Sequence, residues 1–199
     1  MTIPSTAVSR IGAALFLLSA LAVVFSSSAS AQRRDFMTEE EIEIIREAQD
    51  IDARIEVLTR MADRRFALLG IDVSGWKPGK RDAGTWGEEP KGTRIQLLSD
   101  IKKLIQKAVD DIDNLAAHPD SAPIRDKGDK EAKKDPQRFG SAVRDLGRTA
   151  GRYLTPLKIE LDKTQVDVEK GPILDSIDLC EQIIEAVGKL PPEAKKTKT

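Results

Sequence analysis

Apolar residues recur every three to four positions along four stretches of the chain, and segments rich in glycine, proline or charge separate them. That period marks one buried face of a helix. The first stretch predicts a single long helix over residues 38–69. Ile44, Ala48, Ile51, Ile55, Leu58, Ala62 and Leu69 form its stripe, Ile45, Met61 and Phe66 widen it, and Arg65 is its one break. Both ends are marked. Thr38 and Glu41 have the spacing of a capping box, and Met37 with Ile42 that of a hydrophobic staple. Glu39, Glu40 and Glu41 put carboxylates at the positive end of the helix dipole. Gly70 supplies the left-handed residue of a Schellman ending, with Ile71 packing back on Phe66. The stripe repeats near 3.5 residues, which suits gently supercoiled, coiled-coil-like packing. A helix of this length spans roughly 48 Å, so it predicts an elongated bundle.

The second stretch predicts a helix over about 93–117, with Thr93 and Gln96 as a second capping box. Its stripe is Leu98, Ile101, Ile105, Ala108, Ile112 and Leu115, and Leu97, Leu104 and Val109 broaden it into a central helix. His118-Pro119 ends it, with His118 satisfying terminal carbonyls. The third helix covers 136–163, with Asp135 as N-cap and Pro136 at the first helical position. Its stripe is Phe139, Val143, Leu146, Ala150, Tyr153, Leu157 and Leu161. Gly140, Gly147 and Gly151 lie beside that stripe, where each costs about 1 kcal/mol of helix propensity. Close helix packing is the structural reason for them, and room for a ligand is the functional one. Pro156 inside this helix frees the carbonyl of Arg152 and predicts a kink. Gly171-Pro172 predicts a break before a shorter fourth helix over 172–187, with Ile173, Ile177, Cys180, Ile184 and Val187 as its seam.

Four capped stripes joined by breakers predict an all-α fold: an antiparallel up-down four-helix bundle whose fourth helix is shorter. It forms one domain over 32–190. Residues 119–135 read as a charged linker, and 191–199 as a disordered tail. Residues 1–31 stand apart. Arg10 precedes an apolar run from Ile11 to Phe25, too short for a membrane span, and Ala29-Ser30-Ala31 has the small-x-small pattern of a cleavage site. These features predict a signal peptide cut after Ala31. The expected destination of the remaining chain, in which no further span is read, is the periplasm or the exterior of a bacterium.

Loss of Arg10 with the leader takes the formal net charge from −1 to −2. A nucleic-acid binder would need a basic face, and this balance argues against one. Of the pairs four residues apart, Arg46 with Asp50, Asp50 with Arg54 and Glu56 with Arg60 read as a solvated helix face. One cysteine, Cys180, and one histidine, His118, leave no disulfide framework, haem-attachment motif, zinc cluster or Cys/His catalytic set. Cys180 falls on the seam and reads as a small buried apolar residue. No metal ligands, cofactor motif or catalytic constellation emerges. Asp52, beside the first stripe, is expected to pair with an arginine from another helix.

The segments EIIREAQDIDARIEVLTRMADRRF and TRIQLLSDIKKLIQKAVDDIDN resemble those of exported helical bacterial proteins that carry no assigned function. The likeness covers the first two helices and implies no activity. The LTxxQ repeats of small periplasmic stress chaperones are missing. The candidate site is the loop over 72–92, where Gly75, Gly79, Gly84, Gly87, Gly92, Pro78 and Pro90 forbid a regular helix. It holds both tryptophans, Trp76 and Trp86. They either plug the end of the bundle or form a contact surface, since Trp is favoured at binding hot spots. Trp86, nearer the second helix, is expected to be the buried one. The leading functional expectation is a non-enzymatic interaction or structural protein of the cell envelope, with an envelope protein as partner. The alternative is a small-ligand or haem-type binding bundle with its pocket near Gly147 and Gly151.

Overall fold

Six helices, and no strand, make up the described residues: α1 (Glu39–Glu47), α2 (Ile51–Leu68), α3 (Ala83–Trp86), α4 (Arg94–Ala117), α5 (Pro136–Lys163) and α6 (Asp167–Gly188). The structure is a computed structural model and describes residues 34–77, 79, 82–118 and 136–192. The expected signal peptide, the 119–135 linker, Pro78, Lys80, Arg81 and residues 193–199 lie outside the described residues.

The single helix expected over 38–69 is two helices. The chain leaves helical geometry at Ala48–Asp50, where Ala48 has ψ 83° and Asp50 is extended at ψ 142°. The cause is long-range. Glu41 of α1 bonds Arg64 and Arg65 of α2. In one straight helix those residues would stand about 35 Å apart, so the chain must fold back for the pair to form. Arg54 secures the turn by donating to the carbonyls of Ile45 and Ala48, at 3.1 and 3.2 Å. These are the orphan acceptors at the end of α1, where a cation also suits the dipole.

The expected ends form. Thr38–Glu41 and Thr93–Gln96 are both complete capping boxes. Gly70 sits at φ +70°, and the amide N–H of Ile71 reaches the carbonyl of Phe66 at 2.9 Å while that of Gly70 reaches Ala67 at 3.0 Å. Those two bonds define the Schellman ending. His118 is the C-cap of α4, its Nδ1 3.2 Å from the Asn114 carbonyl. Helix α6 starts five residues earlier than expected and runs through Pro172. The carbonyl that Pro172 leaves without a helical donor belongs to Val168, which is exposed to water, so the interruption is cheap there. The buried seam of α6 runs through Ile173, Ser176, Ile177, Cys180 and Ile183, and Ile184 faces outward at 39% exposure.

Helix α2 packs on α4 and α5, and α6 packs on the same two helices; α4 and α5 touch more sparsely. The core between them is Ile55, Leu58, Met61, Phe66, Leu98, Ile101, Leu104, Ile105, Leu146, Tyr153, Leu157, Ile173 and Cys180, with smaller neighbours. The void at its centre is about 10 Å³. That is about the room one water needs. Helix α1 packs on α2 and α3. No described helix is long and apolar enough to cross a membrane.

Candidate binding site in the tryptophan loop

The loop after α2 is fixed by one buried carboxylate. Asp63, on α2, accepts the Trp76 amide N–H at Oδ2, 2.7 Å away. Arg152, on α5, donates to both Asp63 oxygens at 3.2 Å and to the Val73 carbonyl at 3.0 Å. The Tyr153 hydroxyl donates to Asp63 Oδ1 at 2.7 Å and lies 3.0 Å from the Thr59 carbonyl. Burial, then the Asp63 charge, hold the Tyr153 phenol well above its ordinary range. With two donors on each oxygen, Asp63 has no free lone pair aimed outward, and a carboxylate so placed organises a loop.

The loop sequence fits this anchor. A Cβ on Gly75 would lie 2.4 Å from both Asp63 Cγ and Arg152 Nη1, so only glycine lets the backbone come so close. Ser74 adopts φ +50°, with its N–H bonded to Asp72 Oδ1 at 3.0 Å, an Asx turn. The chain then returns through α3 to bring Trp86 onto Trp76, ring centroids 5.0 Å apart and tilted by 43°. Arg60 lies over Trp76 and Arg64 over Trp86, each 5.5 Å from the ring centroid.

The two tryptophans are placed differently. Trp86 is 4% exposed and belongs to the core, while Trp76 is half-buried at its edge. Beside Trp76 is a groove of about 220 Å³ lined by Asp63, Val73, Gly75, Trp76 and Lys77 together with the end of α2. Lys77 and Asp72 at its rim are both exposed and stand 3.9 Å apart.

Beneath Trp86 is a second polar cluster. Glu41 is fully buried. Its Oε1 accepts from Arg64 Nη1 and Arg65 Nη1, both at 2.6 Å, and its Oε2 from Arg65 Nη2 at 2.6 Å and the Thr38 amide at 3.1 Å. Arg65 also donates to the carbonyls of Phe36 and Met61, and Arg64 to that of Glu88. The segment before α1, α1 itself, α2 and the loop after α3 are thus tied at one carboxylate.

The remaining expected positions stand elsewhere. Gly147 is closed by Val187, whose Cγ2 lies 2.4 Å from where a Cβ would be, and Gly151 faces open space. The two do not share a pocket. Asp52 forms no ion pair among the described residues, and its Oδ1 is buried without a donor there. The cross-helix pairing expected of it is made by Asp63, by Glu41 and by Asp111, which meets Arg54 at 3.3 Å. Burial pushes the Cys180 thiol up to about 12, with the Glu181 charge adding to it, so it is protonated and inert at neutral pH. Among the described residues no group of three or more His, Cys, Asp or Glu is placed to hold a metal.

The structure singles out Asp63, Arg152 and Tyr153, which periodicity does not. Tyr153 lies on the stripe and its hydroxyl needs a partner there, but no spacing in the sequence points to Asp63. Arg65 did carry a signal, because a stripe-facing arginine requires a carboxylate. Comparison of the chain with protein-family models, with curated proteins and with solved structures found no match. The class that fold and site define is therefore an all-α protein with an anchored tryptophan loop.

Proposed function

We propose that this chain is an exported helical-bundle protein of the cell envelope that works by binding, with Trp76 and the groove beside it as its contact surface. The observation that carries this reading is the anchoring of the Trp76 backbone by Asp63 and Arg152, which fixes a half-buried indole at the mouth of a groove. A rigid aromatic held at a surface loses little entropy on binding, which is what contact hot spots require. Catalysis fits less well, since the one buried carboxylate there has all its acceptor positions occupied. The partner we expect is another envelope protein.

The leader supports export. The compact unit that begins at Asp35 lies wholly beyond the expected cut after Ala31. We read the architecture as a four-helix bundle of α2, α4, α5 and α6, with α1 laid on α2 and α3 on α1. Arg144 bonds the Pro191 carbonyl and Lys158 pairs with Glu181, which supports antiparallel α5 and α6. Arg94 pairs with Glu169 and Lys102 with Asp175, which supports parallel α4 and α6. In this reading the helices alternate up and down along the chain, but α4 and α5 stand across the diagonal.

The test is made in the native host. A photo-crosslinking residue at Trp76 should trap an envelope protein, and the same residue at exposed Asp178 should not. The chain recovered from the envelope should begin at Gln32. Equal trapping from both positions would overturn the binding surface, and an intact leader on a cytoplasmic chain would overturn export.

A further inference from the structure

We propose that residues 48–50 are a domain-swap hinge and that α1 of a second copy of this chain can take the place of α1 on α2. Three observations converge. First, the break at Ala48-Gln49-Asp50 has no glycine and no proline, the residues that ordinarily stop a helix. The apolar stripe runs through it from Ile44 to Ile51 and Ile55, and the charge spacing Arg46–Asp50–Arg54 crosses it. Local sequence therefore favours one continuous helix from α1 into α2, and the reversal is imposed from outside. Second, the restraint comes from two sets of side-chain bonds. Glu41 is held by Arg64 and Arg65, and Arg54 donates to the Ile45 and Ala48 carbonyls. Third, α1 packs on α2 and α3 and on no other described helix, so the packing of the four long helices on one another stays in place when it leaves with Ile45.

If α1 swings out, α1 and α2 join into one helix of about 30 residues, the length the sequence pattern specifies. That exposes Arg64, Arg65 and the ring of Trp86. Two buried arginines without their carboxylate are costly, and the surface that answers them best is an α1 carrying Glu41. A second copy provides one. Two such chains exchange their α1 helices reciprocally, and the bonds of Glu41 to Arg64 and Arg65 are remade between chains while the hinge turn becomes helix. Exchange of an identical element across a short hinge is a low-cost route to a symmetric dimer. This proposal is independent of the Trp76 contact surface.

The experiment measures mass by light scattering after refolding the purified protein at high and low concentration. Q49A/D50A raises helix propensity at the hinge and removes the residue at the N-cap of α2. It should increase the dimer fraction roughly tenfold or more over the wild type. D50P keeps the turn, because Asp50 already has φ −75°, and bars the continuous helix. It should be monomeric, with the helical circular dichroism and buried Trp86 emission of the wild type. A Q49A/D50A protein no more dimeric than the wild type would overturn the proposal. So would a dimer that persists in D50P, because it would use another surface.

Discussion

Glu41, Arg64 and Arg65 put three charges below the surface, and the arrangement holds because the carboxylate takes four hydrogen bonds. Removing one partner of a buried pair leaves the other uncompensated, which costs about 3–5 kcal/mol. E41A should therefore lower the unfolding free energy by about that amount in urea titration, at a dilution where the chain is monomeric. The break that Arg65 makes in the apolar stripe is the one trace of this cluster in the sequence. Its partner was not legible, since pairing across 24 residues depends on a chain reversal that no local signal marks. Asp52 illustrates the opposite error: its place beside the stripe suggested an ion pair, and the pairing with a second helix is made three turns further on by Asp63. A second expectation at this scale concerns pH. Cys180 is raised to about 12 and Tyr153 well above its ordinary range, so the folded chain keeps protons that the unfolded chain loses near 9 and 10. The folded state binds more protons, so stability is full through neutral pH and falls as pH climbs from about 9 toward 12. Urea midpoints at about pH 8 and 11 check the sign. Tyr153 is the only tyrosine, so tyrosinate absorbance should appear together with loss of helix and not before it.

Helix ends were the most legible part of this chain because capping is local chemistry: Thr38, Thr93 and Gly70 act within one turn. What failed were breaks. Ala48–Asp50 breaks a helix without a breaker residue, because the Glu41 cluster outweighs local propensity. Pro172 fails to break one, because its lost bond falls at a water-exposed first turn. The α5 glycines show that the same residue can serve opposite ends. A methyl group at Gly147 would meet Val187 at 2.4 Å, and at Gly151 it would meet nothing. G147A should destabilise by about 1–3 kcal/mol through overpacking. G151A should stabilise by up to about 1 kcal/mol through helix propensity. Thermal unfolding of both variants measures the difference, and equal shifts would show that the α5–α6 interface is not this close.

At the scale of the whole molecule, the stripes of α4 and α5 were enough to identify an all-helical core, because burial repeats along each of them. The order of helices around that core was not legible, since periodicity gives each helix a buried face and says nothing about which neighbour covers it. The site was half legible. Its two tryptophans and their glycines stood out, but the Asp63–Arg152–Tyr153 anchor joins two helices some ninety residues apart in the chain. The central claim is that this anchor divides the tryptophan pair, with Trp86 serving the core and Trp76 presented at the surface. Urea unfolding of W86A and W76A tests it most directly, with circular dichroism as the readout. W86A should lose about 3–5 kcal/mol, as for other buried aromatics. W76A should lose only about 0.5–1.5 kcal/mol, the contribution of its ring contact with Trp86. A W76A protein as destabilised as W86A, or a W86A protein as stable as the wild type, would contradict the account.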